Sequence, residues 1–357
     1  MAALRLKKKI AIGDLGGHRQ PQPGIARFRK PEHEKEAVSG GGIGTQCPQQ
    51  RIDRGVIGRP GGIVAETDTF VGVDDEDPDC RIDRYTYWAK KLSASAVLDA
   101  LKQRKIPVEQ VATLIVNTCT GYVCPGISTY LIEELGFQNH IRAYDLVGSG
   151  CAGAIPNLQL AEQILKNNPG EIAVCVSVEI CSATFQMGND LGLLVSNAIF
   201  GDGASAIVLW DQSEGIELVD TMSYFDPTYR DKIRFVHRQG QLHNQLSAQL
   251  PKIIAEVVPS LVSEMLSHHG LGTGDIKHWA IHSGGDKIIQ NIKDELILTE
   301  SQIAVTRQIL SEYGNMSSPT VIFELQRILE GNPDLGDWIF AIAFGAGLAV
   351  QAYLFRI

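Results

Sequence analysis

Apolar segments of two kinds alternate along the chain from about residue 81 to its carboxyl end. Short, almost continuously apolar runs predict buried strands, at Val111–Val116, Ile141–Val147, Ile172–Val178, Ala204–Trp210, Trp279–His282, Trp338–Phe344 and Leu348–Phe355. Longer runs with apolar positions three or four residues apart predict helices, at Lys91–Lys105, Gly126–Leu135, Cys151–Lys166, Ile253–Leu266, after Gly285 and after a Thr299–Gln302 capping box. Pro259 should kink or split the fourth helix. This alternation predicts an α/β protein whose sheets are covered on both faces.

The chain divides into three parts by composition and pattern. Residues 1–82 form an atypical leader rich in Gly, Pro and Arg, since 12 of the 36 glycines fall before residue 63. Two interpretations of the leader stay open, a disordered segment and a product of a shifted reading frame. Residues 83–212 and 213–357 form two α/β halves of similar size and pattern, which suggests a duplicated architecture without a literal repeat.

Net charge and hydropathy exclude some classes of partner. A formal net charge of −9 argues against nucleic acid, because phosphate binding needs an excess of Lys and Arg. No apolar run reaches membrane-spanning length, and the basic first residues are not followed by the apolar stretch of a signal peptide. The seven cysteines have neither zinc-site nor disulfide-framework spacing. We therefore expect a soluble cytoplasmic protein with reduced thiols, no metal site and no membrane partner.

Cys151 lies where a strand, a glycine turn and a helix meet, in the sequence Tyr144–Pro156 (YDLVGSGCAGAIP). A cysteine at a helix amino terminus lies near free backbone N–H groups and the positive end of the helix dipole, and both lower the pKa of the thiol. The position therefore suits a catalytic nucleophile. The alternative is a buried structural cysteine, which is what most free cysteines are.

The same turn also matches the dinucleotide-binding pattern of glycines, with Gly148, Gly150 and Gly153 after a strand. That pattern needs an acidic residue about twenty positions later, at the end of the next strand. Glu171 precedes its strand and Glu179 follows later than expected. A dinucleotide-dependent oxidoreductase therefore remains a distant alternative.

Two polar residues in the second half occupy positions where catalytic groups are often found. His282 ends an apolar strand before a Ser-Gly-Gly loop, and Asn315 lies in a turn between two helices. Strand ends in α/β folds often bear catalytic groups. Taken singly, however, each has an ordinary structural explanation, since a lone histidine is commonly structural and asparagine is a common turn residue.

Taken together, the motifs resemble the type III polyketide synthases, the chalcone-synthase-like branch of the thiolase superfamily. The resemblance covers about Tyr85 to Ile357. It rests on motifs that occur in the family's order and spacing: GSGCAGA around Cys151, FGDGA at Phe200–Ala204, HSGG at His282, LSEYGNMSS around Asn315 and the terminal AFGAGL. The resemblance implies a thiolase-like fold, in which two similar α/β halves form a layered αβαβα core.

The resemblance also implies a reaction. Cys151 would take an acyl group from an acyl-CoA, and His282 and Asn315 would donate hydrogen bonds to the malonyl-CoA thioester oxygen while decarboxylation forms a carbanion. The carbanion would attack the acyl group, and repeated extension would precede cyclisation. The implied protein is an acyltransferase without metal or organic cofactor. A non-catalytic or amino-terminally damaged member of the family remains the alternative.

Further positions match the family's substrate cavity. Phe185 matches a gatekeeper aromatic between the CoA tunnel and the cavity, and Cys119 and Ser317 match cavity-lining positions. Cys124 matches a residue that reaches into the cavity of the partner subunit, so the resemblance implies a homodimer.

The chain also departs from the chalcone-type pattern. His243-Asn244 replaces a second gatekeeper phenylalanine, and Ala346 replaces a proline. These changes should reshape the cavity. Three segments, HSGGDKII, YGNMSS and NPGEI, instead resemble bacterial members that make dihydroxyphenylacetyl-CoA or resorcinol-type products. The basic residues that bind CoA phosphates in the family have no match before Tyr85, although Arg81, Arg84, Lys90 and Lys91 are partial substitutes.

Overall fold

The computed structural model describes residues 9–13, 77–210 and 215–357. The helices are α1 (Pro78–Arg104), α2 (Ile127–Leu135), α3 (Ala154–Asn167), α4 (Leu191–Ile199), α5 (Leu250–Ser267), α6 (Asp286–Leu296), α7 (Glu300–Tyr313) and α8 (Thr320–Glu330). The strands are β1 (Lys9–Gly13), β2 (Val111–Asn117), β3 (Arg142–Leu146), β4 (Ile172–Glu179), β5 (Gly203–Trp210), β6 (Ile216–Phe225), β7 (Ile233–Arg238), β8 (Gln241–Leu246), β9 (Ile276–Ile281), β10 (Trp338–Gly345) and β11 (Ala349–Arg356).

The two halves share one topology. In the first half, β2 pairs in parallel with β4, which pairs antiparallel with β5. In the second half, β9 pairs in parallel with β10, which pairs antiparallel with β11. The full strand order β3-β2-β4-β5-β1-β6-β11-β10-β9 joins both halves in one sheet. Helix α3 lies between β3 and β4 in the chain, and α8 precedes β10, so the two helices hold matching places.

Three apolar clusters show the layers of this fold. One cluster combines α3 and α8 with inward-facing residues of both halves of the sheet, such as Cys175, Ile207 and Ala341. A second packs α1 and α2 on the opposite face of the first half, and a third packs α5 and α6 on the opposite face of the second. Because neighbouring strand residues enter different clusters, both faces of the central strands are buried, whereas β3 at the edge of the sheet is largely exposed. The observed order of layers is the αβαβα arrangement that the sequence implies.

Some elements differ from those that the sequence predicts. Helix α5 runs through Pro259 without a break, because the apolar stripe on either side of the proline is buried against the core. Strand β1 lies within the leader and pairs with β5 and β6. Helix α4, strand β6 and the β7–β8 hairpin were not predicted either, since their apolar positions follow neither period clearly. The capping box at Thr299 is confirmed.

Helix α1 begins at Pro78, inside the segment assigned to the leader. The division of the chain into three parts remains a prediction.

Cys80 is disulfide-bonded, so the expectation of reduced thiols is wrong at this position. Cysteine spacing alone gave no sign of that bond. Five other described cysteines are free. None of the described helices is long and apolar enough to cross a membrane.

Candidate active site

Cys151 lies at the junction between β3 and α3. A short 3-10 helix, Gly150–Ala152, contains the cysteine, and α3 begins at Ala154. The chain can turn here because Gly150 has a φ of +57°, which L side chains rarely adopt. A Cβ at Gly150 would also lie 2.9 Å from the backbone nitrogen of Ala346, and one at Gly345 would collide with the carbonyl oxygen of Ser149. The Cys151 loop therefore packs directly on the 345–347 loop, which contains Ala346.

Ser317 joins Cys151 to a second cysteine. Its Oγ donates a hydrogen bond of 3.2 Å to the Cys151 Sγ and lies 3.4 Å from the Cys119 Sγ. Ser317 is 1% exposed and has a φ of +60°, so this contact is held by an unusual backbone conformation. The structure thus brings together three of the residues that the sequence assigns to the site, from three separate loops.

Asn315 is fixed by its backbone and by the oxygen of its side chain. Its N–H donates to the Ile199 carbonyl at 2.7 Å, and its carbonyl accepts from the Gly201 N–H at 2.9 Å. Its Oδ1 accepts from the Ser317 N–H at 2.8 Å. The FGDGA motif therefore serves to hold the asparagine loop. The contact to Oδ1 fixes the orientation of the amide, and Nδ2, the only donor group of the side chain, can donate to a ligand.

His282 follows β9 directly, as the sequence predicts. Its backbone N–H donates to the Ile342 carbonyl of β10 at 2.8 Å. The side chain is 2% exposed, and its Nδ1 has no hydrogen-bond partner among the described residues. Burial lowers the pKa of His282 to about 4. The imidazole is therefore neutral at neutral pH and can donate one N–H.

The protonation state of Cys151 differs from the expectation. Burial raises the pKa of the Cys151 thiol to about 12, and the hydrogen bond from Ser317 opposes this shift without cancelling it. The predicted lowering by the helix amino terminus is therefore wrong for the protein without substrate. The reason is that removal of the sulfur from water outweighs the backbone dipoles at the start of α3.

Glu179 was missed as a contributor to the site. Its side chain is 0% exposed at the end of β4. Its Oε2 accepts from the backbone N–H groups of Cys119 and Thr120 and from the Thr120 hydroxyl, at 2.9–3.1 Å, and its Oε1 accepts from the Ser318 Oγ at 2.6 Å. The available signal was a charged residue directly after a fully apolar strand, a position that needs several hydrogen-bond donors.

Phe185 is half-buried and follows the 3-10 turn Cys181–Thr184. The Arg81 guanidinium donates to its carbonyl oxygen and to that of Ala183. The nearby Gln186 Nε2 donates to the Leu242 carbonyl at 3.4 Å, so β8 lies beside the segment that follows Phe185. The His243-Asn244 substitution is thus close in the chain to a contact with the gatekeeper segment.

The four basic residues that the sequence offers as partial substitutes for the family's CoA-binding residues make other contacts in the structure. Arg81 is 5% exposed, and Arg84 donates to the Ser182 Oγ and carbonyl at 3.1 and 3.3 Å. These two arginines therefore support the turn before Phe185. Lys90 and Lys91 lie over the rings of Tyr130 and Tyr87. Their side chains keep partial access to solvent.

The buried thiol generates a testable expectation about pH. Because the Cys151 pKa is raised to about 12, only the small thiolate fraction reacts, and alkylation of Cys151 by iodoacetamide should rise about tenfold per pH unit between pH ~6 and ~10. Peptide mass spectrometry of quenched samples measures this rate at each pH.

Matched serine variants sharpen this measurement. Ser317→Ala should slow Cys151 alkylation by about tenfold, because a hydrogen bond to the developing thiolate is lost. Ser260→Ala, on the exposed face of α5, should leave the rate unchanged. Fast alkylation of Cys151 at pH ~6, with no further rise up to pH ~8, would contradict the effect of burial described above.

Comparison with known proteins agrees with the fold and the motifs. Residues 56–266 match the model of the FAE1/type III polyketide synthase-like proteins, and residues 217–357 match the carboxyl-terminal domain of the chalcone and stilbene synthases. The match thus begins earlier than Tyr85, where the sequence resemblance was placed.

Individual relatives give the same result. A 3,5-dihydroxyphenylacetyl-CoA synthase from Streptomyces toyocaensis is 31% identical over 284 residues, which are 76% of this chain and 73% of the relative. The crystal structure of PKS-I from the brown alga Ectocarpus siliculosus has a TM-score of 0.74 at 28% identity, over 78% of this chain and 77% of that one. The crystal structure of 1,3,6,8-tetrahydroxynaphthalene synthase from Streptomyces coelicolor has a TM-score of 0.75 at 26% identity, over 78% of this chain and 81% of that one. The chain belongs to the type III polyketide synthase family.

Proposed function

We propose that the chain is an active acyl-CoA:malonyl-CoA condensing enzyme that uses Cys151, His282 and Asn315. The observation that supports this most is the hydrogen bond from Ser317 to the Cys151 sulfur, since it joins the nucleophile loop of the first half to the asparagine loop of the second. Both loops precede a central helix, so the thiol and the amide, each in contact with Ser317, lie before the matching ends of α3 and α8.

The first step is the transfer of an acyl group from an acyl-CoA to Cys151. The sulfur attacks the thioester carbonyl, the carbon–sulfur bond to CoA breaks, and the proton of the Cys151 thiol ends on the released CoA thiol. Ser317 stabilises the negative charge that develops on the Cys151 Sγ, because its hydroxyl already donates to that atom at 3.2 Å. Acyl transfer therefore needs no metal or organic cofactor.

The second step is decarboxylation of malonyl-CoA. Loss of CO₂ leaves an enolate whose oxygen needs hydrogen-bond donors. The neutral His282 ring supplies an N–H, and the Asn315 Nδ2 supplies a second donor on an amide whose orientation is fixed by the Ser317 N–H at Oδ1. The enolate carbon then attacks the acyl group on Cys151, which forms the carbon–carbon bond and breaks the bond to the Cys151 sulfur. The released thiolate takes a proton from water and is ready for another cycle.

The substrate cavity decides chain length and cyclisation. Cys119 and Ser317 lie beside the nucleophile, and Phe185 follows the turn held by Arg81 and Arg84. We propose an aromatic product of the kind named for the curated relatives, 3,5-dihydroxyphenylacetyl-CoA, as the first one to look for. An enzyme that consumes acyl-CoA and malonyl-CoA in this way would work in the cytoplasm.

A non-catalytic or amino-terminally damaged family member is the second candidate. It is favoured by the start of the family match at residue 56, which leaves the first 55 residues unmatched. Translation of the upstream DNA in all three frames distinguishes the candidates. A family-like amino terminus recovered by one frame change would favour the damaged protein, and its absence would favour the active enzyme.

Release of labelled CO₂ from malonyl-CoA tests the proposal. With a panel of acyl-CoA starters, the chain should release CO₂ and form a polyketide detectable by mass spectrometry. His282→Ala should lower decarboxylation by about a hundredfold or more, as expected for loss of an enolate-stabilising donor. Cys151→Ala should abolish acyl loading. Cys175→Ala, which removes a buried thiol of β4, is the control and should keep activity. Absence of CO₂ and product across the panel would refute the proposal.

We also propose a homodimer. Cys124, at the position that crosses between subunits in the family, is exposed, and α4 exposes Leu191, Leu194 and Val195 along one face. A second copy of the chain would cover such a face. Light scattering should show a dimer, and Leu194→Glu should give a monomer, whereas Leu335→Glu at a 93% exposed position should not. A stable and active wild-type monomer would contradict the dimer.

A further inference from the structure

Glu324 is a buried carboxyl group that the proposed reaction does not use. It lies in the second turn of α8, the helix that follows the asparagine loop, and its side chain is 0% exposed. Neither carboxyl oxygen has a hydrogen-bond partner among the described residues. A buried carboxyl without a partner is unfavourable for folding, so its presence in the core needs an explanation.

The surroundings of Glu324 are polar and incompletely hydrogen-bonded. Interactions with the Ser283 hydroxyl and backbone N–H and with the Thr306 hydroxyl oppose the rise in the Glu324 pKa that burial causes, so both residues lie close to the carboxyl group, although no contact meets strict hydrogen-bond geometry. The Oγ atoms of Ser283 and of Thr320, one turn before Glu324 in α8, are also buried without partners among the described residues. Glu324 therefore belongs to a buried polar cluster.

This polar cluster contacts the residues on both sides of His282. Ser283 follows His282 in the chain, and the Ile281 N–H before it donates to the Thr306 Oγ1 at 3.3 Å. Ser283, Thr306 and Glu324 come from the end of β9, from α7 and from α8. The end of β9 is therefore held where these three elements meet, directly beside the histidine.

We propose that Glu324 is a positioning residue for His282, which it holds in place through Ser283. The inference rests on the proposed function and extends it to a residue outside the catalytic set. Burial raises the pKa of Glu324 well above its usual range, which favours the uncharged carboxylic acid. In that form it can donate one hydrogen bond and accept others, as a bridge between two hydroxyls requires.

Two substitutions at position 324 separate hydrogen bonding from packing. Glu324→Leu keeps an apolar volume of similar size and removes every polar atom, so the fold should be kept, because an unpartnered carboxyl contributes little to stability. Malonyl-CoA decarboxylation should nevertheless fall by about tenfold or more, because small misplacements of a catalytic group are costly. Glu324→Gln keeps a neutral hydrogen-bonding group and should retain most of the rate.

The alkylation rate of Cys151 in the Glu324 variants shows whether Glu324 acts on the position of His282 or on the structure of the whole site. Alkylation of Cys151 by iodoacetamide should be unchanged in both variants, because Glu324 acts on His282 and not on the nucleophile loop. Ser283→Ala should lower decarboxylation as Glu324→Leu does, and the double variant should be no worse than either single one. Ser93→Ala is the control, since it removes another buried, unpartnered hydroxyl in α1.

The assay is run on the full chain, with wild type beside each variant. Full decarboxylation by a folded Glu324→Leu protein, or an equal loss of decarboxylation and alkylation, would overturn the inference while leaving the proposed function intact. If Glu324→Leu fails to fold, Glu324→Gln and Ser283→Ala decide. Positioning is supported if Glu324→Gln keeps malonyl-CoA decarboxylation and Ser283→Ala loses it. Any other combination overturns the inference. No CO₂ release from wild type would instead overturn the proposed function, and this inference with it.

Discussion

The Glu179 carboxyl lies where the two halves of the molecule meet, and the geometry of the site depends on it. Within the first half it accepts hydrogen bonds from the backbone of Cys119 and Thr120, and it also accepts one from Ser318 in the second half. Ser318 in turn accepts from the Asn117 side chain at 2.8 Å. This one buried group therefore fixes the Cys119 loop against the asparagine loop, and the Ser317 contact to the nucleophile follows from that fixed distance. An apolar residue at position 179 would leave several buried donors without an acceptor.

Burial also governs the electrostatics of the site. It raises the pKa of Cys151 and lowers that of His282, so both shifts favour the neutral forms. The two residues are thus a thiol and an imidazole before substrate arrives, not a thiolate and an imidazolium. A neutral histidine suits the proposed decarboxylation, in which it would donate a hydrogen bond to an oxygen that becomes negative. The proposed acyl loading, by contrast, would need the substrate or its transition state to draw the proton from the sulfur, and the Ser317 hydroxyl would stabilise the resulting charge.

The sequence predicted much of the fold because the strands of the two halves are buried on both faces and therefore read as apolar runs. It also predicted the family and the loops that bear Cys151, His282 and Asn315, because each lies beside glycines that a tight turn requires. It could not predict the pKa of Cys151, since burial of that sulfur depends on residues distant in sequence. Strand β1 and the unbroken helix through Pro259 escaped prediction for a similar reason, because sheet pairing and core packing outweighed local pattern.

Mapping of the acyl group after incubation with an acyl-CoA tests the central claim most directly. The claim is that Cys151 is the nucleophile, although it shares the Ser317 hydroxyl with Cys119. Proteolysis of the acid-quenched full chain, followed by peptide mass spectrometry, should locate one acyl group per chain on the peptide that contains Cys151. The adduct should be absent from Cys151→Ala and present in Cys119→Ala. An acyl group found on Cys119 in the wild-type chain, or on no cysteine at all, would contradict the account.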